Sequence, residues 1–424
     1  MIQAGFGKGT IHFLQEMFPT EGFCGVRDDP HARLMVLKME QDAFALLAME
    51  LVICPKDMVA AWRDQIGDVF GMPAEKVWVH VNHTITTPHE PGPKGPPGHR
   101  PPPTKEDKHR ASLYREAVNA AVETAISTAK ADMSPASFGW GTGQCRINGN
   151  RDVETPYGWW IGPAGDGPSN HTMNVLRVDG ADGATKGLVM FYGVKPCAID
   201  NSGMRANTRL VSSEVTGVAC LELEERFGAP VMFCMTAAGD QVPVKQSLLD
   251  VVTEDGEAIQ KDEGPEKGLV YASELGKQMA ADAANIAGGI TCSESACVTG
   301  WGHVSFPWEK RRGGGPRRLM KTLEHTPDGV AELTADMFRL GDTAFVAAKP
   351  EINCVTEREL MKKSPFERTV LITMVNGDMK YMPDKGSFDR GVWEAQSAMF
   401  MPGAAEQLVE KTVEQLEGMN HANG

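Results

Sequence analysis

Apolar runs of strand length alternate with longer amphipathic stretches along most of the 424-residue chain. That alternation constrains the fold more than any other feature, because it is the pattern of an α/β protein. Ala32 to Met39 and Ala43 to Cys54 read as adjacent strands joined by a polar turn at Glu40-Gln41-Asp42. Residues 56–70 carry Met58, Ala61, Ile66, Val69 and Phe70 at helical spacing and close on Gly71, and Lys76 to Val81 returns as a strand. The same reading predicts helices over 112–131, 213–227, 271–287, 352–363 and 404–418. It predicts strands around 173–178, 187–194, 230–236, 296–305, 331–348 and 368–375.

Two segments break the rhythm. Pro88 to Lys108 is too rich in proline to pair as a central strand or to continue a helix. It follows directly on the strand that carries His83, so a lid loop over 88–108 is the reading preferred to an interdomain linker. Residues 307–321 form a basic loop with Arg311, Arg312, Arg317 and Arg318, either a solvated surface or an arm that brings an arginine to an anionic group. It stands out because 42 Lys+Arg face 56 Asp+Glu, a net charge of -14. Such a balance argues against a nucleic-acid partner and against stable association with an anionic membrane. The N-terminus shows no basic region followed by an apolar run, no stretch has the length of a membrane span, and the nine cysteines are scattered without a Cys-x-x-Cys pair. A reduced, cytoplasmic protein is expected.

Residues able to do chemistry concentrate in four places. His80, His83, His89, His99 and His109 crowd one strand and the loop after it, and His83 sits near the strand's C-terminal end, where open α/β sheets place their ligands. A second strand ends in small residues, Met235-Thr236-Ala237-Ala238-Gly239-Asp240, with the Thr236 hydroxyl at its tip. Asn148-Gly149-Asn150-Arg151-Asp152, followed by Tyr157-Gly158-Trp159-Trp160, offers polar and aromatic groups to a substrate. Lys349-Pro350-Glu351 passes from a strand toward a helix, where a carboxylate is expected from the helix dipole alone.

In order, these segments resemble the catalytic domain of the neutral/alkaline non-lysosomal ceramidase family over nearly the whole chain. Gly5-Phe6-Gly7-Lys8 with Gly22-Phe23 and the Ala32-Arg33 strand is similar to the family's start. Asn82-His83-Thr84-Ile85-Thr86-Thr87-Pro88 resembles its His-Thr-His-Ser-Gly-Pro motif, Asn148-Gly149-Asn150-Arg151 its Asn-x-Asn-Arg motif, and Ser212-Ser213-Glu214-Val215-Thr216-Gly217 its Ser-Asp-x-x-Gly helix start. Ala238-Gly239-Asp240-Gln241-Val242-Pro243 resembles its Gly-Asp-x-x-Pro strand end. Lys349-Pro350-Glu351 and Asn376-Gly377-Asp378-Met379-Lys380-Tyr381-Met382-Pro383 resemble its Pro-Gly-Glu and Asn-Gly-x-x-x-Tyr-x-Pro motifs. The resemblance implies one large layered α/β domain over residues 1–424, central β-sheets flanked by helices. It also implies a zinc ion held by two His, a Glu and a Tyr, of which His83, Glu351 and Tyr381 are present. The family's serine nucleophile falls near Thr236, and Arg151 falls on a substrate-binding position, with Asn150, His89 and Arg317 as further candidates for substrate contact.

The departures shape the expected chemistry. Lys195 stands where the second histidine ligand belongs, and an ammonium donates hydrogen bonds but cannot coordinate zinc. Ile85 replaces the second histidine of the His-Thr-His motif. Two versions of the site stand side by side. In one, His83, Glu351 and Tyr381 hold zinc, with His89 or His80 able to swing in, and the protein hydrolyses an amide C–N bond with help from Thr236, Lys195 and Arg151. In the other, Lys195 takes the place of the metal's charge, as an electrophile or as a base of lowered pKa beside Tyr381, which suits a lyase or isomerase. A non-catalytic ligand-binding relative is the third reading. The chain ends soon after the helix predicted at 404–418, before the family's C-terminal immunoglobulin-like domain, and with its negative charge this points to a small polar or anionic substrate.

Overall fold

Alternate glycines let the first strand, Gln3–Thr10, carry a helix directly on its backbone. A Cβ added at Gly5, Gly7 or Gly9 would collide with the carbonyl oxygens of Ala129, Ala125 and Ala121 in the helix Lys105–Asp132. The computed structural model, which describes residues 2–93, 101–312, 317–377 and 379–421, places this strand in an eight-stranded sheet. Across that sheet the order is Val231–Met235, Thr185–Tyr192, Thr172–Gly180, Ser134–Gln144, Gln3–Thr10, His31–Lys38, Ala43–Met49 and Val77–Val81. A second sheet has four strands in the order Thr299–Arg311, Pro327–Leu340, Thr343–Ala348 and Arg368–Ile372.

The period-2 alternation of side chains assigns each strand's faces. Leu34, Val36, Leu47 and Val79 point outward to Trp62, Tyr114 and Val122 of the helices Lys56–Phe70 and Lys105–Asp132. Met35, Phe44, Leu46 and Trp78 point inward and meet Phe338 and Phe345 of the second sheet. Phe44 stacks on Phe338 with ring centroids 4.5 Å apart and meets Trp78 edge-on at 5.1 Å. The other half of the large sheet buries Val175, Leu188 and Met190 under the helices Glu214–Phe227 and Pro265–Gly288. The second sheet buries Met337 and Val346 under Cys354–Lys363 and Ala404–His421. The result is a mixed α/β architecture of two face-to-face sheets between layers of helices, and among the described residues no helix is long and apolar enough to cross a membrane.

Within these two sheets most neighbours are antiparallel, but three pairs are parallel, each joined by a helix: Ala43–Met49 with Val77–Val81, Thr185–Tyr192 with Val231–Met235, and Thr343–Ala348 with Arg368–Ile372. Their C-terminal ends meet. The Val81 amide donates to Met374 O at 3.2 Å, Thr373 N to Met235 O at 3.2 Å, and Asn376 N to Val79 O at 2.8 Å. His80 ties the junction. Its Nδ1 lies 2.8 Å from Thr373 O and its Nε2 accepts from Met235 N at 3.0 Å.

Several expectations need correction. The run 331–348 is two strands, because Gly341 at φ 60° turns the chain between Leu340 and Thr343. The helix expected from 112 begins at Lys105, where Thr104 and Asp107 form a reciprocal capping box, so residues 105–108 of the expected lid are helical. Residues 94–100 of that lid, His99 included, lie outside the described residues. Of the expected basic loop, Pro307–Arg311 is strand and 313–316 lie outside the described residues. The strands Gln3–Thr10 and Ser134–Gln144, rich in glycine, were not expected; a Cβ at Gly141 would stand 2.6 Å from Ile286 Cγ2 in the helix that covers it.

Burial lowers the His80 pKa to about 4 from a reference of 6.5. The unfolded chain therefore binds a proton that the folded one refuses between those values, and stability held above pH 6.5 is lost as pH falls toward 4. In His80→Gln this proton uptake is absent. The stability difference between wild type and variant, from urea titrations at pH 7 and pH 4, is expected to narrow toward low pH by up to about 3 kcal/mol; a pH-independent difference contradicts the neutral, doubly bonded imidazole.

Candidate active site

Short connections after the parallel strands set the site. Val81 ends its strand and Asn82 leads into His83, which has a φ of 55° and lines an outer cavity. Tyr192 ends the next, and Lys195 follows, its amide bonded to Gln241 O at 3.2 Å. Glu351 lies in a two-residue strand, Glu351–Ile352, paired in parallel with Tyr381–Met382 so that Glu351 and Tyr381 are register partners. Glu351 is thus a strand residue and not a helix-start carboxylate; the helix begins at Cys354 behind Asn353.

These connections bring Lys195, Glu351, Tyr381 and His83 together. Lys195 Nζ is 2.7 Å from Glu351 Oε2 and donates to Tyr381 Oη at 2.7 Å. His83 Nδ1 contacts the other carboxylate oxygen, Oε1, although neither carboxylate contact has the direction of an aligned hydrogen bond. Lys195 and Glu351 are 2% and 3% exposed, so each charge depends on the other. Burial opposes ionisation of Glu351, but His83 and Lys195 outweigh it and hold the carboxyl at about 2. Burial likewise opposes the Lys195 ammonium, and Glu351 and Tyr381 outweigh it, so the lysine pKa is raised. A base of lowered pKa was one expectation for Lys195; the adjacent carboxylate reverses it.

Lys195 and Tyr381 line an inner cavity of about 160 Å³, with Arg151, Arg317 and Trp393 among its other walls. Arg151 is buried and lies over the Tyr381 ring at 5.5 Å, and its Nε donates to Glu394 Oε1 at 2.7 Å. Arg317, from the basic segment, donates to Asp250 Oδ2 at 2.7 Å; Arg311 instead donates to the carbonyls of Gln396 and Ala398 and is structural. An outer cavity of about 1140 Å³ is lined by His83, His89 and Arg209 and shares Ile85 and Asn201 with the inner one.

Other expected site residues are used elsewhere. Thr236 does not line either cavity, and its hydroxyl supports the buried carboxyl of Glu357. Asn150 donates to Asp240 and Pro168 O and accepts from Asp152 N, which leaves it a scaffold for the turn that carries Arg151. His89 is exposed, bonded to Glu21, at the outer cavity, and His80 is occupied in the core, so neither completes a ligand set with His83. Sequence reasoning missed Glu394, Asp200, Asp250, Asn201 and Gln246. Only Glu394 left a trace, as a lone acid in the apolar run Val392 to Phe400.

The residues do not fit the zinc that the resemblance implies. The ammonium of Lys195 lies against both Glu351 and Tyr381, two of the would-be ligands, and supplies the positive charge there. Among the described residues no group of three His, Cys, Asp or Glu is placed to hold a metal ion.

If Lys195 and Glu351 neutralise each other, Lys195→Met strands a buried carboxylate and is expected to cost about 3–5 kcal/mol in urea unfolding. Lys195→Met/Glu351→Gln is expected to recover part of that loss, with a coupling of about 1–3 kcal/mol. Additive single and double effects would show that the two side chains do not depend on one another.

Among known proteins, no family model matches the chain and no curated protein matches its sequence. Solved structures do match. One is described as a ceramidase complexed with C2, at TM-score 0.69 and 14% identity, over 99% of this chain and 75% of that one. Another is the neutral ceramidase from Pseudomonas aeruginosa, at TM-score 0.71 and 16% identity, over 98% of this chain and 75% of the other. The chain therefore has the fold of the neutral ceramidase structures, with a sequence only 14% and 16% identical to theirs.

Proposed function

We propose that the protein is a hydrolase that cleaves an amide C–N bond of a small polar substrate, with the Lys195 ammonium in the place where a metal would polarise the carbonyl. The observation that carries this reading is the Lys195 contact with Glu351 and Tyr381, 2.7 Å to each, at the wall of the inner cavity. The fold shared with structures named as ceramidases supports the reaction class.

In this reading Tyr381 Oη accepts from Lys195, which orients the phenol so that its own hydrogen is free for a substrate oxygen. Lys195 and Tyr381 then form a pair of donors for the negative charge that develops on the carbonyl oxygen during attack. His83, with its Nδ1 beside the Glu351 carboxylate, faces the outer cavity; it takes a proton from the attacking water and returns it to the amide nitrogen as the C–N bond breaks and the amine leaves. The scissile bond lies where the two cavities share Ile85 and Asn201. A lyase or isomerase in which Lys195 removes a proton is disfavoured, because the raised pKa keeps the amine charged.

The test is turnover of small N-acyl compounds by protein treated with a chelator and then desalted. Chelation is expected to leave the rate unchanged, and Lys195→Ala and Tyr381→Phe are each expected to lower kcat by about 10²–10³-fold. Activity that requires added zinc, or full activity in Lys195→Ala, overturns the reading. Ligand-induced thermal shifts without turnover of any amide would mark a binding protein instead.

A further inference from the structure

The inner cavity is small and polar in a particular way. Its volume of about 160 Å³ is room for about five water molecules, below the range of pockets that take drug-sized ligands. Its cations are already compensated. Lys195 faces Glu351, Arg151 faces Glu394, and Arg317 faces Asp250. Asp200 and Asp250 themselves line the cavity, so an anionic group entering it would meet two carboxyl side chains as well as the arginines. What remains is a mixed set of donors and acceptors. Asp200 Oδ1 accepts from the Asn201 side chain at 2.8 Å, and Asp250 Oδ1 accepts from Gln260 at 3.1 Å. Gln246 donates to Cys197 O at 3.1 Å, which leaves its own carbonyl oxygen able to accept. Arg317 is fixed between Trp160 and Trp393, 5.7 Å from each ring, and Trp393 presents a rigid aromatic wall to the cavity.

A hydroxyl both donates and accepts, so a hydroxyl-rich molecule can satisfy such a lining where an alkyl chain or a lone carboxylate cannot. Its C–H face suits an aromatic wall. Resting on the hydrolase reading above, we propose that the half of the substrate amide held in this cavity is a single polyhydroxylated unit of monosaccharide size, with the amide directed toward Lys195 and Tyr381. Sites built to bind hydroxyls reject analogues that lack them by roughly 10⁴-fold or more. A long-chain amide without the polyol is therefore excluded here, even though the fold is shared with ceramidase structures.

The experiment uses the full chain and three probes: a set of N-acetylhexosamines, N-acetylglycine, and an N-acetylated long-chain alkylamine. Thermal shift reports binding, and acetate release reports turnover. The N-acetylhexosamines are expected to raise Tm and to be hydrolysed, at a kcat/KM well above that of the other two. Asp250→Asn and Gln246→Leu are expected to raise KM about tenfold or more with little change in kcat, a split that a general loss of folding does not give. Hydrolysis of N-acetylglycine or of the alkylamide in preference to the sugars overturns the polyol assignment and leaves the hydrolase reading standing. Sugar binding weakened in both variants, without acetate release from any probe, supports the polyol site and overturns the hydrolase reading. No binding and no turnover with any N-acetylhexosamine overturns the proposal.

Discussion

A lysine ammonium held 2% exposed needs an anion at contact distance, and the site is arranged around that requirement. Glu351 supplies the anion, and its position depends on a parallel ladder only two residues long. The ladder exists because the chain leaves the strand Thr343–Ala348, crosses through the helix Cys354–Lys363, and returns beside itself in Arg368–Ile372 before turning to Tyr381. Lys195 is placed by a different crossover unit in the other sheet. One ion pair thus joins the two sheets at the ends of their parallel strands, close to where His80 joins them by hydrogen bonds. A neutral pair of the same shape would pack there, but it would present no fixed positive charge to the cavity.

The same economy governs the second charged pair. Arg151 bonds to Glu394, whose side chain is wholly buried, and the guanidinium is thereby held over the Tyr381 ring. Burial alone would disfavour the arginine charge, and Glu394 with Tyr381 overcomes it, so its pKa is raised. Tyr381 is consequently flanked by two cations, Lys195 at 4.8 Å and Arg151 at 5.5 Å from its ring. Both cations are tethered from behind by carboxylates. In the proposed hydrolysis little reorganisation is then needed as charge develops on the carbonyl oxygen, which is the condition under which electrostatic stabilisation is most effective.

How much of this could be read in the sequence follows from the range of each interaction. Strands such as Ala43–Met49 and Val231–Met235 and helices such as Lys56–Phe70 and Glu214–Phe227 declare themselves through local periodicity. Gln3–Thr10 and Ser134–Gln144 do not, because their glycines serve close packing against a helix far away in sequence and erase the apolar alternation. His83, Lys195, Glu351 and Tyr381 could be singled out together only through motif order, and their convergence is a property of the crossovers. The cavity's polar wall was not legible at all. Asp200, Gln246 and Asp250 are ordinary polar residues in loops and a hairpin until Arg317, from a segment more than sixty residues later, pairs with Asp250 and joins them in one cavity lining.

A lysine ammonium in the position where the resemblance implies a metal ligand bears on what the scaffold can do, as well as on what it binds. A zinc ion bound by histidine, glutamate and tyrosine would use the glutamate and the phenol as ligands and would tie the chemistry to metal occupancy. An ammonium is a weaker electrophile with a single charge, which one carboxylate neutralises. The Tyr381 hydroxyl is then bonded by a donor rather than a metal and retains the ability to donate in turn. Transition-state stabilisation of that kind depends on exclusion of water and close fit, because a lone ammonium in contact with solvent polarises a carbonyl poorly. The inner cavity of about 160 Å³, with Trp393 and compensated charges in its lining, suits a small rigid ligand in the proposed reaction better than a long flexible one. In the proposed reaction an electrophile weaker than zinc therefore depends the more on the buried, carboxylate-backed setting of Lys195.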